Sequence, residues 1–301
     1  MLNLNSPYPV RFVHRRLVQL TGNAFEISVV GGDEQWAAER IDNAIAEISR
    51  VLQLLSVTDK NSQINQVNQK AGISPVKVSQ EVFNLVNRSL KISDLTRGAF
   101  DITDNAGGLT GQARQMDYRN VILDAKNTTI FLTEQGMCIN LGSIIKGYAT
   151  DRAKYVLQIQ GVLSGVVNAF GDLITWGSQP NNKPWTIEAA DPDQKLKAFS
   201  NLNISNMAVS TSGNNNNNSL TDRNSYVDTL NPKTGLPFHS IKSVSVLSPS
   251  AELAAAMSAP VKVMGVKMSL SMFNRLNQLV CVIVNKRKKV YTSKSISLMM
   301  C

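Results

Sequence analysis

Apolar and polar residues change period several times along the chain, and each change marks an element. Residues 18–32, VQLTGNAFEISVVGG, alternate as a strand does around a turn at Gly22, and residues 33–56, DEQWAAERIDNAIAEISRVLQLLS, space their apolar positions for an amphipathic helix behind an acidic start. EVFNLVNRSLKISDLTRGAF (81–100) repeats the helical spacing and stops at Gly98, because glycine takes the left-handed conformation that ends a helix. DYRNVILDAKNTTIFLTEQGMCINLG (117–142) predicts two strands about a polar DAKNT turn. GYATDRAKYVLQIQG (147–161) predicts a helix closed by Gly161, and VLSGVVNAF with DLITWG (162–177) supplies strands. AVSTSGNNNNN (208–218) runs into a loop by composition, and DTLNPKTGLPF (228–238) is turn chemistry around Pro232 and Gly235. SIKSVSVLSPS then reads as a strand, SAELAAAMSAPVKVMG as the start of a short helix, and LVCVIVNKRKKVYTS as a hairpin. Strands and helices mix without a regular βαβ repeat, so the pattern predicts an α+β fold.

Composition narrows the function classes. A chain of 301 residues with 43% hydrophobic content can bury the core of one large domain. It holds no run of about 18 uncharged apolar residues, so no transmembrane segment is expected. Its start, MLNLNSPYPVRFVHRR, lacks the apolar core of a secretory signal and a cysteine for lipid attachment, so the chain as given is expected in the cytoplasm. Cys138, Cys281 and Cys301 have no CxxC spacing, and with His14 and His239 alone beside them they read as ordinary thiols rather than a zinc site. The net charge of +9 permits contact with nucleic acid, yet its densest run, Lys286 to Lys289, has no aromatic interleaving and reads as a solvated turn. No nucleic-acid partner is expected.

Candidate chemistry begins with INLGSIIKGYATDRA (139–153), which places Gly142, Lys146 and Gly147 where a strand hands over to a helix. N–H groups at a helix start and a nearby ammonium attract phosphate oxygens, although a glycine turn with a surface lysine would look the same. GAFDIT (98–103) sets Asp101 beside Phe100, either as a capping Asp and core Phe or as ligand contacts. VVNAFGDLITWG (166–177) puts Asn168 and Asp172 in a glycine-bearing turn, again structural or ligand-facing. STSGN (210–214) and NPKTG (231–235) offer hydroxyls and backbone donors or merely end strands. Singly, each is a turn.

In combination and in order, GAFDIT, INLGSIIKGYATDRA, VVNAFGDLITWG, AVSTSG, DTLNPKTGLP and SVSVLSPSAELAAAMSAP make the chain resemble the ApbE family of FAD:protein FMN transferases, from about Leu20 to Lys294. The resemblance implies a single large α+β domain, T-fold-like, with mainly antiparallel sheets and packed helices. It would occupy residues 18–298, between an N-terminal arm (1–17) and a short tail (299–301). It also implies that FAD is the substrate, that Mg²⁺ bridges the pyrophosphate, and that FMN passes to a Ser or Thr hydroxyl of an acceptor protein while AMP leaves. Positioning and charge neutralisation do most of the work in such phosphoryl transfer. Carried onto this chain, the likeness places Ala99, Phe100, Asp101, Asn140, Lys146 and Thr229 at the cofactor, with the 142–147 turn approaching its phosphates. Asp172, Thr211 and Ser212 would shape the cleft, and the main-chain carbonyl of Ser143 would be a metal ligand. Members of this family are commonly exported.

The departures from the family pattern gather at the chemistry. Family members carry approximately LADALAT after the SVSV strand, an Asp and a Thr that hold Mg²⁺; here the stretch is LAAAMSA, with Ala255 and Ala259 in those places. Alanine has no oxygen to give, and Mg²⁺ demands near-octahedral oxygen ligation. Asn140 stands where an Asp is usual, Asp228 and Asn231 where a His and an Asp are, and Thr21 and Thr58 where a Met and an aromatic are. Residues 104–116 and the asparagines 214–218 contain none of the aromatics expected there. Glu252, one helical turn before Ala255, could join Asp228 in a displaced metal site. Three functions compete: the transferase, a catalytically silent homologue that binds flavin or a protein partner, and a basic nucleic-acid binder with net charge alone behind it.

Overall fold

In the computed structural model, which describes residues 11–103, 117–186, 204–213 and 241–294, strands β1 (Phe12–Leu20) and β2 (Asn23–Gly31) form a hairpin. Thr21 and Gly22, at φ 47° and 78°, make its two-residue turn. The first strand therefore starts ahead of residue 18, inside the stretch expected to be an arm. β2 buries Phe25, Ile27 and Val29 completely. The chain then enters α1 (Glu34–Leu54), capped by Asp33, whose carboxylate accepts from the Trp36 N–H at 2.6 Å. Ala37, Ile41, Ala44, Ile48 and Val51 recur every three or four residues and are all buried. Each large side chain in that stripe contributes roughly 1.5–3 kcal/mol by leaving water, which is what holds α1 in place.

After α2 (Gln63–Gln69), β3 (Val76–Lys77) and α3 (Gln80–Leu95) come β4 (Val121–Asp124) and β5 (Thr129–Leu132). Ser62 and Ser79 cap the two helices by accepting from the Asn65 and Val82 N–H groups. β4 and β5 are the hairpin that the DAKNT turn predicts, and β3 joins them in a small sheet of order β3-β5-β4. α4 (Gly142–Ile159) begins at Gly142, so the expected glycine turn at 142–147 is the opening of a helix. Two glycines depress helix propensity by about 1 kcal/mol each, and the burial of Ile144, Tyr148 and Ala149 overrides it.

The remaining elements are β6 (Gly165–Asn168), β7 (Asp172–Trp176), β8 (Ala208–Gly213), β9 (Ile241–Ser248), α5 (Ala251–Phe273), β10 (Val280–Asn285) and β11 (Val290–Thr292). The large sheet has the order β1-β2-β6-β7-β8-β9-β10-β11, and every described ladder in it is antiparallel. Its two faces are read from β10, since alternate residues of a strand point to opposite sides. Cys281 and Ile283 join the main core with α1, α4 and α5, whereas Val280 and Val282 join Ile204, Val209 and Leu247 in a smaller cluster. Burial pushes the Cys281 thiol up to about 12, which suits an inert core cysteine. Lys286 to Lys289 are exposed in the β10–β11 turn.

α5 extends well past the short helix expected, over 23 residues, with Pro260 inside it and a break at Gly265 (φ 76°). Among the described residues it is the one helix long and apolar enough to cross a membrane. Its apolar composition has a destination within the fold: Ala251, Ala254, Ala256, Met257 and Val261 are fully buried in the core where α5 meets α4, β8 and β9.

Candidate functional site

The site assembles where α3 ends, α4 begins and the β6–β7 turn meets β8. Beyond α3, Arg97 and Gly98 take φ of 54° and 77°, and the Gly98 N–H returns to the Ser93 carbonyl at 2.8 Å, closing the helix as the sequence predicts. Ala99 follows, half-buried, and Phe100 enters the core with its N–H on the Thr96 hydroxyl at 3.1 Å. Asp101 accepts from the Thr103 N–H and hydroxyl, both at 2.7 Å, and from the Tyr118 N–H at 3.1 Å. Burial raises its pKa, and those three bonds pull it back down. Its oxygens thus tie the 98–103 segment to residue 118.

The Ile102 carbonyl accepts the Asn140 N–H at 2.8 Å, which brings this segment to the start of α4. Asn140 Oδ1 accepts from the Gly142 N–H at 2.8 Å, a local turn that launches the helix. Asn68 of α2 braces the approach by donating to the Ile139 carbonyl (2.9 Å) and accepting its N–H (2.7 Å). Nothing in the sequence signals that pair across 71 residues.

Gly142 and Ser143 are exposed in the first helical turn, and Lys146 is half-buried in the second. Lys146 Nζ lies 4.0 Å, and the Thr211 carbonyl oxygen 3.7 Å, from where a Cβ on Gly171 would stand. Gly147 serves another purpose than the phosphate approach expected of it: a Cβ there would sit 2.4 Å from the Ala251 carbonyl oxygen, so it lets α4 and α5 touch. Ser143 lies in the first turn of α4.

Asp172, at the head of β7, is 6% exposed. Burial pushes its carboxyl up, while a hydrogen bond from Ser210 and the charge of Lys146 pull it down. Ser210 and Ser258 of α5 share a hydrogen bond of 3.2 Å, and the Ser258 hydroxyl also lies 3.0 Å from the Ala255 carbonyl. Thr211 donates its N–H to the Gly171 carbonyl at 2.7 Å and shares a 3.0 Å hydroxyl contact with Ser245. Ser212 follows it, half-buried on β8. Sequence reasoning missed Ser258, although its place one turn from Ala255 on a helix is a signal that could have found it.

Behind these residues Asp151 caps α5 from α4, accepting from the Ala251 N–H (2.8 Å), the Glu252 N–H (2.9 Å) and the Ser250 hydroxyl (2.7 Å). Glu252 is bound bidentately by Arg88 of α3, at 2.8 and 2.7 Å. A cavity of about 450 Å³ lined by Leu95, Leu253, Met257 and Leu279 lies on the α3 side of α5. It is a separate, mainly apolar space. Thr229, Asp228 and the NPKTG turn lie outside the described residues.

These donors decide whether the Mg²⁺ of the resemblance fits. Ala255 is 2% exposed and Ala259 is half-buried, and each offers only a methyl group. Both oxygens of Glu252 are held by a guanidinium, so the displaced site imagined with Asp228 loses that partner. Among the described residues no three His, Cys, Asp or Glu side chains gather as a metal site would require. The described donor set does not fit the ion.

The order of strands and helices is shared with solved structures of ApbE proteins. An ApbE protein from Thermotoga maritima shares the fold at TM-score 0.80, with 25% identity over 96% of this chain and 100% of that one. Flavinyl transferase ApbE from Pseudomonas stutzeri does so at 0.81, with 22% identity over 96% and 97%. In sequence, a FAD:protein FMN transferase of Klebsiella pneumoniae is 29% identical over 220 residues, 67% of this chain and 68% of that protein. Another, from Vibrio cholerae, is 25% identical over 284 residues, 87% and 84% of the two. The ApbE family model matches residues 21–283, and the chain belongs to the ApbE family.

Proposed function

We propose that this chain moves FMN from FAD to a Ser or Thr hydroxyl of an acceptor protein and releases AMP. The observation that supports the reading is the position of Lys146 in this chain: its ammonium lies near the Gly171 turn and close enough to the buried Asp172 to act on its charge. An anion arriving there meets a positive charge and the N-terminal end of a helix dipole together. In the transfer, the acceptor oxygen bonds to the phosphorus that carries riboflavin. The bond from that phosphorus to the bridging oxygen breaks, AMP keeps the bridging oxygen, and the hydroxyl proton goes to solvent. Lys146 would offset the charge that builds on the phosphate oxygens, and Asp172 would hold the ammonium toward the Gly171 turn. FAD is thus a substrate. Mg²⁺ supplies charge neutralisation to phosphoryl transfer where it is bound, and no step is assigned to it with these donors.

A second reading, a silent flavin- or partner-binding homologue, is favoured by one observation, the methyl groups of Ala255 and Ala259. Incubating the protein with FAD, Mg²⁺ and a domain bearing an acceptor threonine, then reading covalent flavin fluorescence on a gel, separates the two. The transferase reading expects a labelled acceptor from the wild type and little change in A255D/A259T. An unlabelled acceptor from wild type, with label restored at least tenfold by the double variant, would establish the silent reading instead.

A further inference from the structure

Phe170 stands in the β6–β7 turn at φ 50°, a region that bulky side chains rarely enter, and its side chain is 57% exposed. The turn is tightly fixed around it. Ala169 donates to the Asp172 carbonyl at 2.8 Å, Phe170 to Asn168 Oδ1 at 2.9 Å, and Thr211 to the Gly171 carbonyl at 2.7 Å. An apolar ring in water gains nothing from burial, and the backbone beneath it is in a conformation that glycine would take without strain. Neither packing nor local geometry accounts for a phenylalanine here, and such strained residues concentrate where a ligand is held.

The neighbours say what kind of ligand. Phe170 precedes Gly171, over which Lys146 Nζ lies, so an aromatic face and an ammonium are presented by adjoining positions. Flat rings stack on such a face, and a phosphate attached to the ring meets the cation. The two other aromatic side chains with half their surface exposed among the described residues are placed elsewhere. Phe12 is on the outer strand β1, and Tyr155 is nine residues along α4 from Lys146, about 13 Å, with Arg152 over its ring. Residues 104–116 and 214–218 bring no aromatic.

We infer that Phe170 is a ring-binding residue of this chain, stacking one of the two flat rings of a flavin dinucleotide whose pyrophosphate meets Lys146. The inference rests on the reading that the site takes FAD, and its test separates the two. Full-length wild type, F170G and F170W are titrated with FAD, FMN and ADP by calorimetry and flavin fluorescence quenching, and their melting temperatures are compared. Stacking on a side chain is worth about 1–3 kcal/mol, so F170G should bind FAD roughly 5- to 150-fold more weakly. F170W should stay near wild type, and F170G should melt no lower than wild type because the left-handed strain is relieved. Loss confined to FMN marks the isoalloxazine as the stacked ring, and loss confined to ADP marks the adenine. FAD affinity unchanged in F170G overturns the role of Phe170 and leaves the flavin reading standing. The same holds if F170G melts several degrees lower and F170W fails to restore binding, since the residue is then structural. Wild type that binds no FAD overturns both.

Discussion

At Asp151 one carboxylate accepts two N–H groups and a hydroxyl from the start of α5, a helix 100 residues away in sequence. Ser250 caps the same helix locally through the Leu253 N–H at 3.2 Å, so α5 carries a near and a distant cap together. Asp151→Ala leaves the Ala251 and Glu252 N–H groups buried without that acceptor. The lost cap and the unpaired donors together predict destabilisation of about 2–3 kcal/mol, read as a lower urea midpoint with unchanged slope. At this scale the residues themselves told part of the story. Asp101, Asn140, Lys146, Asp172 and Thr211 stand out in sequence through the resemblance of their motifs, taken in order, to the ApbE family. Asp101 then accepts from Thr103 and Tyr118, Ser258 is marked only by its place one turn from Ala255, and Asn68 carries no mark in the sequence at all, because a lone Asn is common everywhere.

Between elements, the decisive contact is α4 on α5. Gly147 meets the Ala251 backbone, and neither partner there is the movable end of a long side chain. Gly147→Ala would gain about 1 kcal/mol of helix propensity and lose more to the clash, for a net destabilisation of about 1–3 kcal/mol. The expected outcome is a lower melting temperature together with weaker FAD binding, because displacing α5 also disturbs the Ser210–Ser258 contact. A glycine demanded by a ligand and one demanded by a helix crossing look alike in sequence. Only the packing showed that Gly147 belongs to the second kind. The start of α4 was hidden for a related reason: propensity is a local quantity, and the burial that overrides it is not.

Across the whole molecule, charged side chains link α1, α3, α4 and α5. Arg50 reaches both Glu47 and Glu81, Arg152 reaches Glu47, the Tyr148 hydroxyl donates to Glu81 at 2.7 Å, and Arg88 holds Glu252. The hydrogen bond from Arg50 is the main reason Glu47 and Glu81 ionise below the ordinary 4.5. A depressed carboxylate stabilises the fold above its unfolded pKa, and that contribution is lost as pH falls through the folded value. Melting temperature should therefore drop from about pH 4.5 downward. In Arg50→Met the two carboxylates return toward their unfolded behaviour. The variant should melt lower than wild type at pH 7 and lose less on acidification, and parallel melting curves across pH 7 to 3 would contradict this account.

What the sequence determined by itself was everything set by short range. The amphipathic spacing of α1 and α3, the acidic start of α1, the glycine stop after α3, the hairpin turns and the mixed α+β order are all properties of residues a few positions apart. So is the vacancy of oxygen at positions 255 and 259, which is a matter of residue identity. The tertiary structure alone decided which distant groups meet: Arg88 taking Glu252, Asp151 capping α5, Lys146 coming over Gly171, and an exposed Phe170 fixed at positive φ. Chain closure over tens to more than a hundred residues leaves no periodic trace, because the free energy that selects those partners comes from burial and charge in the assembled core rather than from neighbours along the backbone.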